Sequence, residues 1–450
     1  MQDVLTMQFL WATLIVGGIV GIVILAKVPE FLVALLLVGQ DFVQFGVRLL
    51  GFVVHRRQFA TAGVILFIPV VLLFLVIRAV RAREHEPVIG RPNFAFIGIT
   101  ILMGVILLVG LTYTGAMKYG SQKTVEYFTF GMAPMLVALV FIRDHDGIRR
   151  LLLSLLVVAS SIVVLTSIHS LVVRGTLETT LMFGGGEEYF GGMELGGHGA
   201  LSSAVVVMVS VLLGFAASRT ETRYKVFPIL ILPIACFYAL HAGTRSNMIA
   251  SVFVLTVGYF LAYKGKRSVL VVAFLVLLIF AGILLYTAEK DVRERAFFKS
   301  WFDPESKHGT GYARIEALRR IPGFFLSAPV IGHGTGAWPR LTSGGDYYDY
   351  PHNMFAEVLV ENGLVGLAVL LILWFILSRR LWRHLRGATP GTELYGVAVF
   401  GVCMVAAEFF TGLAHFGLAH HSCTLLLTSA VVLRTTFLAE EAVVPEVQTV

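Results

Sequence analysis

Charge is what this chain has least of. Asp, Glu, Lys and Arg make up 14% of its 450 residues, while 57% are hydrophobic. Soluble domains carry about 25% charged residues, so with a mean hydropathy of +0.83 a soluble globular fold is excluded. Strand-like alternation is also missing. The apolar runs continue for about 20 residues, which excludes a β-barrel and leaves helices. There are three cysteines, Cys236, Cys403 and Cys423, all in apolar segments at unrelated spacings. That pattern suits neither a disulfide framework nor a thiolate metal site, and they read as small buried hydrophobes. The first apolar run begins near Gln8 with no basic flank and no small-residue cleavage site, so it is expected to be a retained helix. No internal repeat is visible. The net charge of +7 is spread over loops between apolar runs, the ordinary pattern of a membrane protein, and gives no reason to expect nucleic acid.

Apolar runs lie near 8–26, 31–54, 60–77, 94–113, 124–142, 150–172, 199–217, 226–241, 247–263, 268–286, 353–378, 394–413 and 418–437. They predict an all-α polytopic membrane protein of about 12–14 transmembrane helices. The expected organisation is an N-terminal transmembrane bundle over 1–286, a long loop with short helices over 287–351, and C-terminal transmembrane helices over 352–438. A short tail over 439–450, with Glu440, Glu441 and Glu446, is expected to be disordered. Clusters at Arg78–Arg91, Arg143–Arg150, Arg219–Lys225, Lys264–Arg267 and Arg379–Arg386 fall in alternate loops. Positive charge marks the cytoplasmic side. The loop 287–351 is therefore expected outside, periplasmic in a cell with two membranes. His55-Arg56-Arg57 runs against this scheme and leaves the N-terminal side open.

Residues 287–366 hold most of the chemistry. Ordered loops longer than about 12–15 residues are uncommon and usually functional. His352 follows Pro351 and opens an apolar helix. It is either a proton acceptor, since imidazole titrates near neutral pH, or a helix-cap or interfacial histidine. Asn353, Glu357 and Glu361 recur at i, i+4 and i+8, a polar stripe that must face protein or a watery cavity. Its role is either functional or structural hydrogen bonding. Gly363 and Gly366 are expected to allow close helix packing.

Arg245, in the turn His241-Ala242-Gly243-Thr244-Arg245-Ser246-Asn247, either snorkels to headgroups or binds phosphate through its planar fork. Arg314 falls in a segment with Ile315 and Leu318 three apart, suggesting a short interfacial helix. Lys290, Arg293 and Arg295 add cations just after a span ends, a cluster of the kind that is usually a solvated face. Asp346 and Asp349 are expected on a mobile loop before the helix. Ile331-Gly332-His333-Gly334-Thr335-Gly336 lacks the strand–helix context of a nucleotide loop and reads as a turn. His198 and His352 lack metal-ligand spacing.

The stretch from His352-Asn353 to Gly363-Leu364-Val365-Gly366 resembles the signature of the bacterial O-antigen ligase/polymerase family. So do Thr244-Arg245-Ser246, Arg314 and Pro329-Val330-Ile331-Gly332-His333-Gly334. The resemblance spans roughly 199–378, and Gly196-Gly197-His198 departs from it. It implies a GT-C-like, metal-independent, inverting glycosyltransferase of the bacterial inner membrane, with no cofactor and a site facing the periplasm. The donor implied is a glycan on undecaprenyl diphosphate. The acceptor is lipid A–core for a ligase, or a growing glycan for an O-antigen or exopolysaccharide polymerase. Carried over, His352 is the catalytic base, and Arg245 and Arg314 bind diphosphate, with Arg293 and Arg295 beside them. Asn353, Glu357 and Glu361 support the site. The single long insert favours the ligase. A flippase or other lipid-linked oligosaccharide transporter is the rival of another class, for which paired half-spans around a midplane site are expected.

Overall fold

The computed structural model describes residues 30, 31, 34, 94–132, 135, 136, 138, 139, 145–174, 198–218, 245–262, 310–347, 349–414 and 418. The apolar runs expected at 8–26, 60–77, 226–241 and 268–286 lie outside these residues, as do Cys236, Cys423, Lys290, Arg293 and Arg295. Among the described residues the secondary structure is helical, with one isolated bridge between Ser218 and Gly391.

We number the helices α1 (Phe94–Leu111), α2 (Met117–Glu126), α3 (His145–Arg174), α4 (His198–Ala217), α5 (Arg245–Ala262), α6 (Thr310–Ser327), α7 (Trp338–Ser343), α8 (Met354–Gly387) and α9 (Glu393–Ala414). Segments within α3, α8 and α9 are long and apolar enough to cross a membrane, while the apolar parts of α1, α4 and α5 are shorter. The protein is an all-α membrane protein. The apolar run at 124–142 starts earlier than its hydropathy suggests: α2 begins at Met117 and runs into a π-helical segment, Tyr127–Met132. The reason is burial. Lys123 and Glu126 are polar but sit inside the protein.

The helices pack in a chain of contacts. α3 lies on α4, α4 on α5 and α9, α9 on α8, and α8 on α1, with α6 and α7 against α8. Small residues set the closest approach. A Cβ on Gly214 of α4 would lie 2.9 Å from the carbonyl oxygen of Gly396 in α9. Cys403 is buried at the α5–α9 contact, where its sulfur meets the space beside Gly258.

Thr389-Pro390-Gly391-Thr392 turns the chain between α8 and α9, and the Tyr395 amide donates to Thr392 Oγ1 at 3.3 Å. The two helices are therefore antiparallel. Tyr395 Oη donates to Leu261 O at 3.0 Å, while the Phe253 and Phe410 rings pack at a tilt with centroids 4.6 Å apart. These contacts set α5 antiparallel to α9 and parallel to α8. The N-termini of α5 and α8 thus share one end of the bundle.

α8 is not one continuous helix. Gly363 adopts φ +64° and ψ −162°, dividing it into a short piece over 354–362 and a long piece over 364–387. The expectation that Gly363 serves helix packing is corrected: it breaks the helix. Gly366 packs against its own chain, since a Cβ there would meet Asn362 and Val358 of the short piece. About 20 residues cross the hydrocarbon. Counted back from Ser378, just before Arg379-Arg380, that length ends near Leu359. A span of about 20 residues ending at Ser378 would put the break near its far end, with His352 outside it.

Candidate active site at the broken helix

A helix break leaves amides and carbonyls without partners, which is expensive at membrane depth unless protein satisfies them. Here the turn after α6 supplies four such partners. His333 N donates to Val360 O (3.0 Å) and Gly334 N to Glu361 O (2.8 Å), while Leu364 N donates to Pro329 O (2.9 Å) and Val365 N to Val330 O (3.2 Å). Four hydrogen bonds join the turn to both ends of the break. The glycines of the motif follow from this fit. Gly332, Gly334 and Gly336 all have positive φ. A Cβ on Gly332 would run into the backbone of Glu361, and one on Gly334 would lie 2.7 Å from Gly110 O of α1. Thr335, fully buried, donates to Leu107 O at 2.8 Å and accepts from Asn362 Nδ2 at 3.2 Å. The expected turn is present, and it is the wedge that holds α8 open. A transporter would leave such a break free for its ligand, whereas this one is closed by backbone.

His333 ties this turn to α6, its Nε2 lying 2.8 Å from Phe324 O and 3.0 Å from Ser327 Oγ. The helix expected around Arg314 is present as α6 and longer than expected, Thr310–Ser327. Ile315, Leu318 and Leu326 are exposed on one face, while Ile321 turns inward to Trp338 and Val360.

His352 stands at the mouth of α8, half-buried, with its ring 4.5 Å from that of Tyr350. Among the described residues it is the one non-glycine with positive φ, at +54°. That left-handed conformation costs a side-chain-bearing residue on the order of 1–3 kcal/mol and persists only where neighbours enforce it. Asn353 explains part of the constraint. It caps α8, accepting from Ala356 N at 2.9 Å, and donates from Nδ2 to Leu413 O at 3.0 Å. Its amide is thereby committed to the helix end.

Arg314 approaches from α6. Its Nε is buried without a hydrogen-bond partner, and burial pulls its pKa below the usual arginine range, with nearby Tyr350 opposing. A guanidinium stripped of water on one edge is suited to an anion. Asp346 and Asp349 depart from the expected mobile loop, both being partly buried. Asp346 caps α2, accepting from Lys118 N (2.8 Å) and Tyr119 N (2.9 Å). Asp349 accepts from Tyr350 N at 2.9 Å. Burial raises its pKa against the opposing pull of that amide, His352 and Thr342. Arg314, Asp349, Tyr350 and His352 therefore form one cluster. Arg245 is the first residue of α5, and so lies at the same end of the bundle as His352.

Glu357 and Glu361 take no part in that cluster. Both are buried and ion-paired to Lys123 of α2, Glu361 Oε2 lying 2.5 Å from Nζ. Glu361 also accepts from Gly336 N at 2.9 Å, and Glu357 from Leu418 N at 2.7 Å. Removing one partner of such a buried pair typically costs about 3–5 kcal/mol. The polar stripe thus faces protein, as its cost in lipid requires. Lys123 escapes a reading of the sequence, although a lone lysine at the edge of an apolar run is a signal that a carboxylate partner is needed. Among the described residues no three His, Cys, Asp or Glu side chains gather into a metal-binding group.

An apolar groove of about 610 Å³ runs between α5, α8 and α9, lined by Phe253, Phe355, Trp374, Trp382 and Phe409 among others. Its upper end, at Phe355, is one turn from His352.

Fold and site together define a polytopic helical membrane protein with a polar, arginine- and histidine-bearing cluster at one end of the helical bundle. Residues 230–371 match the family model described as O-antigen ligase, which supports the resemblance to the O-antigen ligase/polymerase family. The match supports a glycosyltransferase-like enzyme of that general kind and covers Arg245, Arg314, His352, Asn353, Glu357 and Glu361. A comparison with curated proteins found no match.

Proposed function

We propose that the protein transfers a glycan en bloc from undecaprenyl diphosphate to a periplasmic acceptor, lipid A–core, at the outer face of the bacterial inner membrane. The observation that carries this reading is the placement of Arg314, with its buried and unpartnered Nε, beside Tyr350 and thus beside His352. A diphosphate leaving group needs cations that share its developing charge, and a sugar hydroxyl needs a base. His352 accepts the proton of the acceptor hydroxyl as that oxygen attacks the anomeric carbon. The bond from that carbon to the diphosphate oxygen breaks on the opposite face. Undecaprenyl diphosphate departs as an anion held by Arg314 and Arg245, and the configuration inverts. Arg293 and Arg295 supply further cations on the same insert. The aromatic groove beside Phe355 suits the polyprenyl chain of the donor. The chemistry asks for no metal.

The long insert before α8 favours ligation over polymerisation of repeat units. Purified full-length protein in nanodiscs, given donor and lipid A–core, tests the reading: one full-length glycan is expected to appear on each acceptor, with undecaprenyl diphosphate released. Donor glycans that lengthen while lipid A–core stays bare would make it a polymerase. Donor that only changes leaflet would make it a transporter.

A further inference from the structure

We propose that Lys123 is a positioning residue for His352, and that α2, which lies outside the matched family stretch, is the brace that holds the reactive segment in place. The proposal rests on the transfer reading above.

Both flanks of His352 are anchored on this one helix. Upstream, Asp346 accepts from the first amides of α2, at 2.8 Å from Lys118 N and 2.9 Å from Tyr119 N. Downstream, Glu357 and Glu361 pair with Lys123, one turn further along α2. The segment from Asp346 to Glu357 is therefore a bridge with both feet on α2, and His352 lies within its span. That bridge is what sustains the left-handed backbone at His352, φ +54°, which a loose loop would relax. A third contact fixes the brace itself. A Cβ on Gly120 would lie 2.9 Å from Leu111, and Gly336 packs on the Gly120 backbone.

Lys123 cannot act on substrate directly. Its side chain is 2% exposed and its ammonium is engaged by two carboxylates. The two carboxylates share one ammonium, and the amides of Gly336 and Leu418 donate to them as well. The arrangement is thus tuned for holding, because the two carboxylates reach three different pieces of chain: α2, the wedge turn and the region of Leu418. Its influence on transfer passes through the geometry of His352.

The test compares full-length wild type with Lys123→Met, Lys123→Arg and the triple variant Lys123→Met/Glu357→Gln/Glu361→Gln in nanodiscs. The triple variant buries no net charge, so it remains informative if Lys123→Met fails to insert. Two quantities are read: kcat and KM for transfer from undecaprenyl-diphosphate glycan, and the rate at which diethyl pyrocarbonate modifies His352, followed by mass spectrometry. In the triple variant kcat is expected to fall by about 10²-fold, the scale of a misplacement near 1 Å. KM for donor should hold, and His352 should react faster. Lys123→Arg, which keeps the charge, should fall between. A triple variant with wild-type kcat and unchanged His352 reactivity overturns the proposal. If the wild type itself transfers nothing, the transfer reading fails on its own. The modification rate then decides positioning, and an unchanged rate in the triple variant overturns it.

Discussion

Gly332 and Gly363 meet across the break in α8: a Cβ on Gly363 would lie 2.7 Å from the amide nitrogen of Gly332. Each has positive φ, and each is surrounded by backbone of the other's segment. The alanine variants at both positions are expected to be strongly destabilised, because backbone strain of about 1–3 kcal/mol adds to a contact that no side chain can yield. Gly323 in α6 faces open space, with nothing within 4 Å of where a methyl group would sit. Gly323→Ala should therefore leave stability unchanged or slightly raised. Thermal unfolding in detergent, compared across the three variants, checks this contrast.

His352→Ala and His352→Gln are both expected to lower transfer by about 10²–10⁴-fold, the usual contribution of a positioned base. Glutamine can hydrogen-bond but cannot take the proton. Retention of most activity by His352→Gln would make His352 a residue that only orients the acceptor. Arg314→Lys keeps the charge and loses the fork, so it should insert normally and transfer poorly. Arg245→Lys should behave alike, with donor turnover as the measurement in both.

Asp349 carries a pH signature. Burial raises its folded pKa above the unfolded value, so the native state binds the proton more tightly. Stability from this group is then fully present below the unfolded carboxyl pKa and is lost as pH rises through the folded value. Asp349→Asn, permanently neutral, should flatten that loss. Unfolding midpoints of the two proteins measured from acid to neutral pH should converge at low pH and separate at neutral pH, with the variant the more stable. Separation in the opposite sense would mean that the His352 charge outweighs burial.

Topology can be read by labelling. Ser343 is exposed on α7, at the end of the molecule that bears His352. Gly387 is exposed at the far end of α8. In intact cells stripped of their outer membrane, a cysteine at Ser343 should react with an impermeant thiol reagent and one at Gly387 should not. Reversed labelling would turn the site toward the cytoplasm and remove its access to a periplasmic acceptor.

The helical class and the membrane were legible because hydropathy is summed over whole runs, and the chain is far from soluble composition throughout. The polar end of α8 was legible for the same reason: His352, Asn353, Glu357 and Glu361 interrupt an otherwise apolar pattern. What those residues do was less accessible. Glu357 and Glu361 are indistinguishable by spacing from a catalytic pair, and only the approach of Lys123, 238 positions from Glu361, makes them anchors. Asn353 is a cap because its own backbone is extended, at φ −149° and ψ 112°. Gly363 reads as a packing glycine because hydropathy is blind to backbone angles. The break it makes depends on a turn whose own glycines read as a loop.

The wedge and the brace also fix an order of events. The turn over 329–334 and the break over 360–365 are close in sequence, and they can find each other as soon as both are made. Thr335 to Leu107 and Asp346 to Lys118 each span 228 positions. Contacts of that separation form late. During synthesis α1 and α2 therefore enter the membrane region and wait for most of the chain. Until Glu357 and Glu361 have been translated, Lys123 has neither of its carboxylates, and a stalled or truncated chain presents a bare ammonium where the finished protein has none.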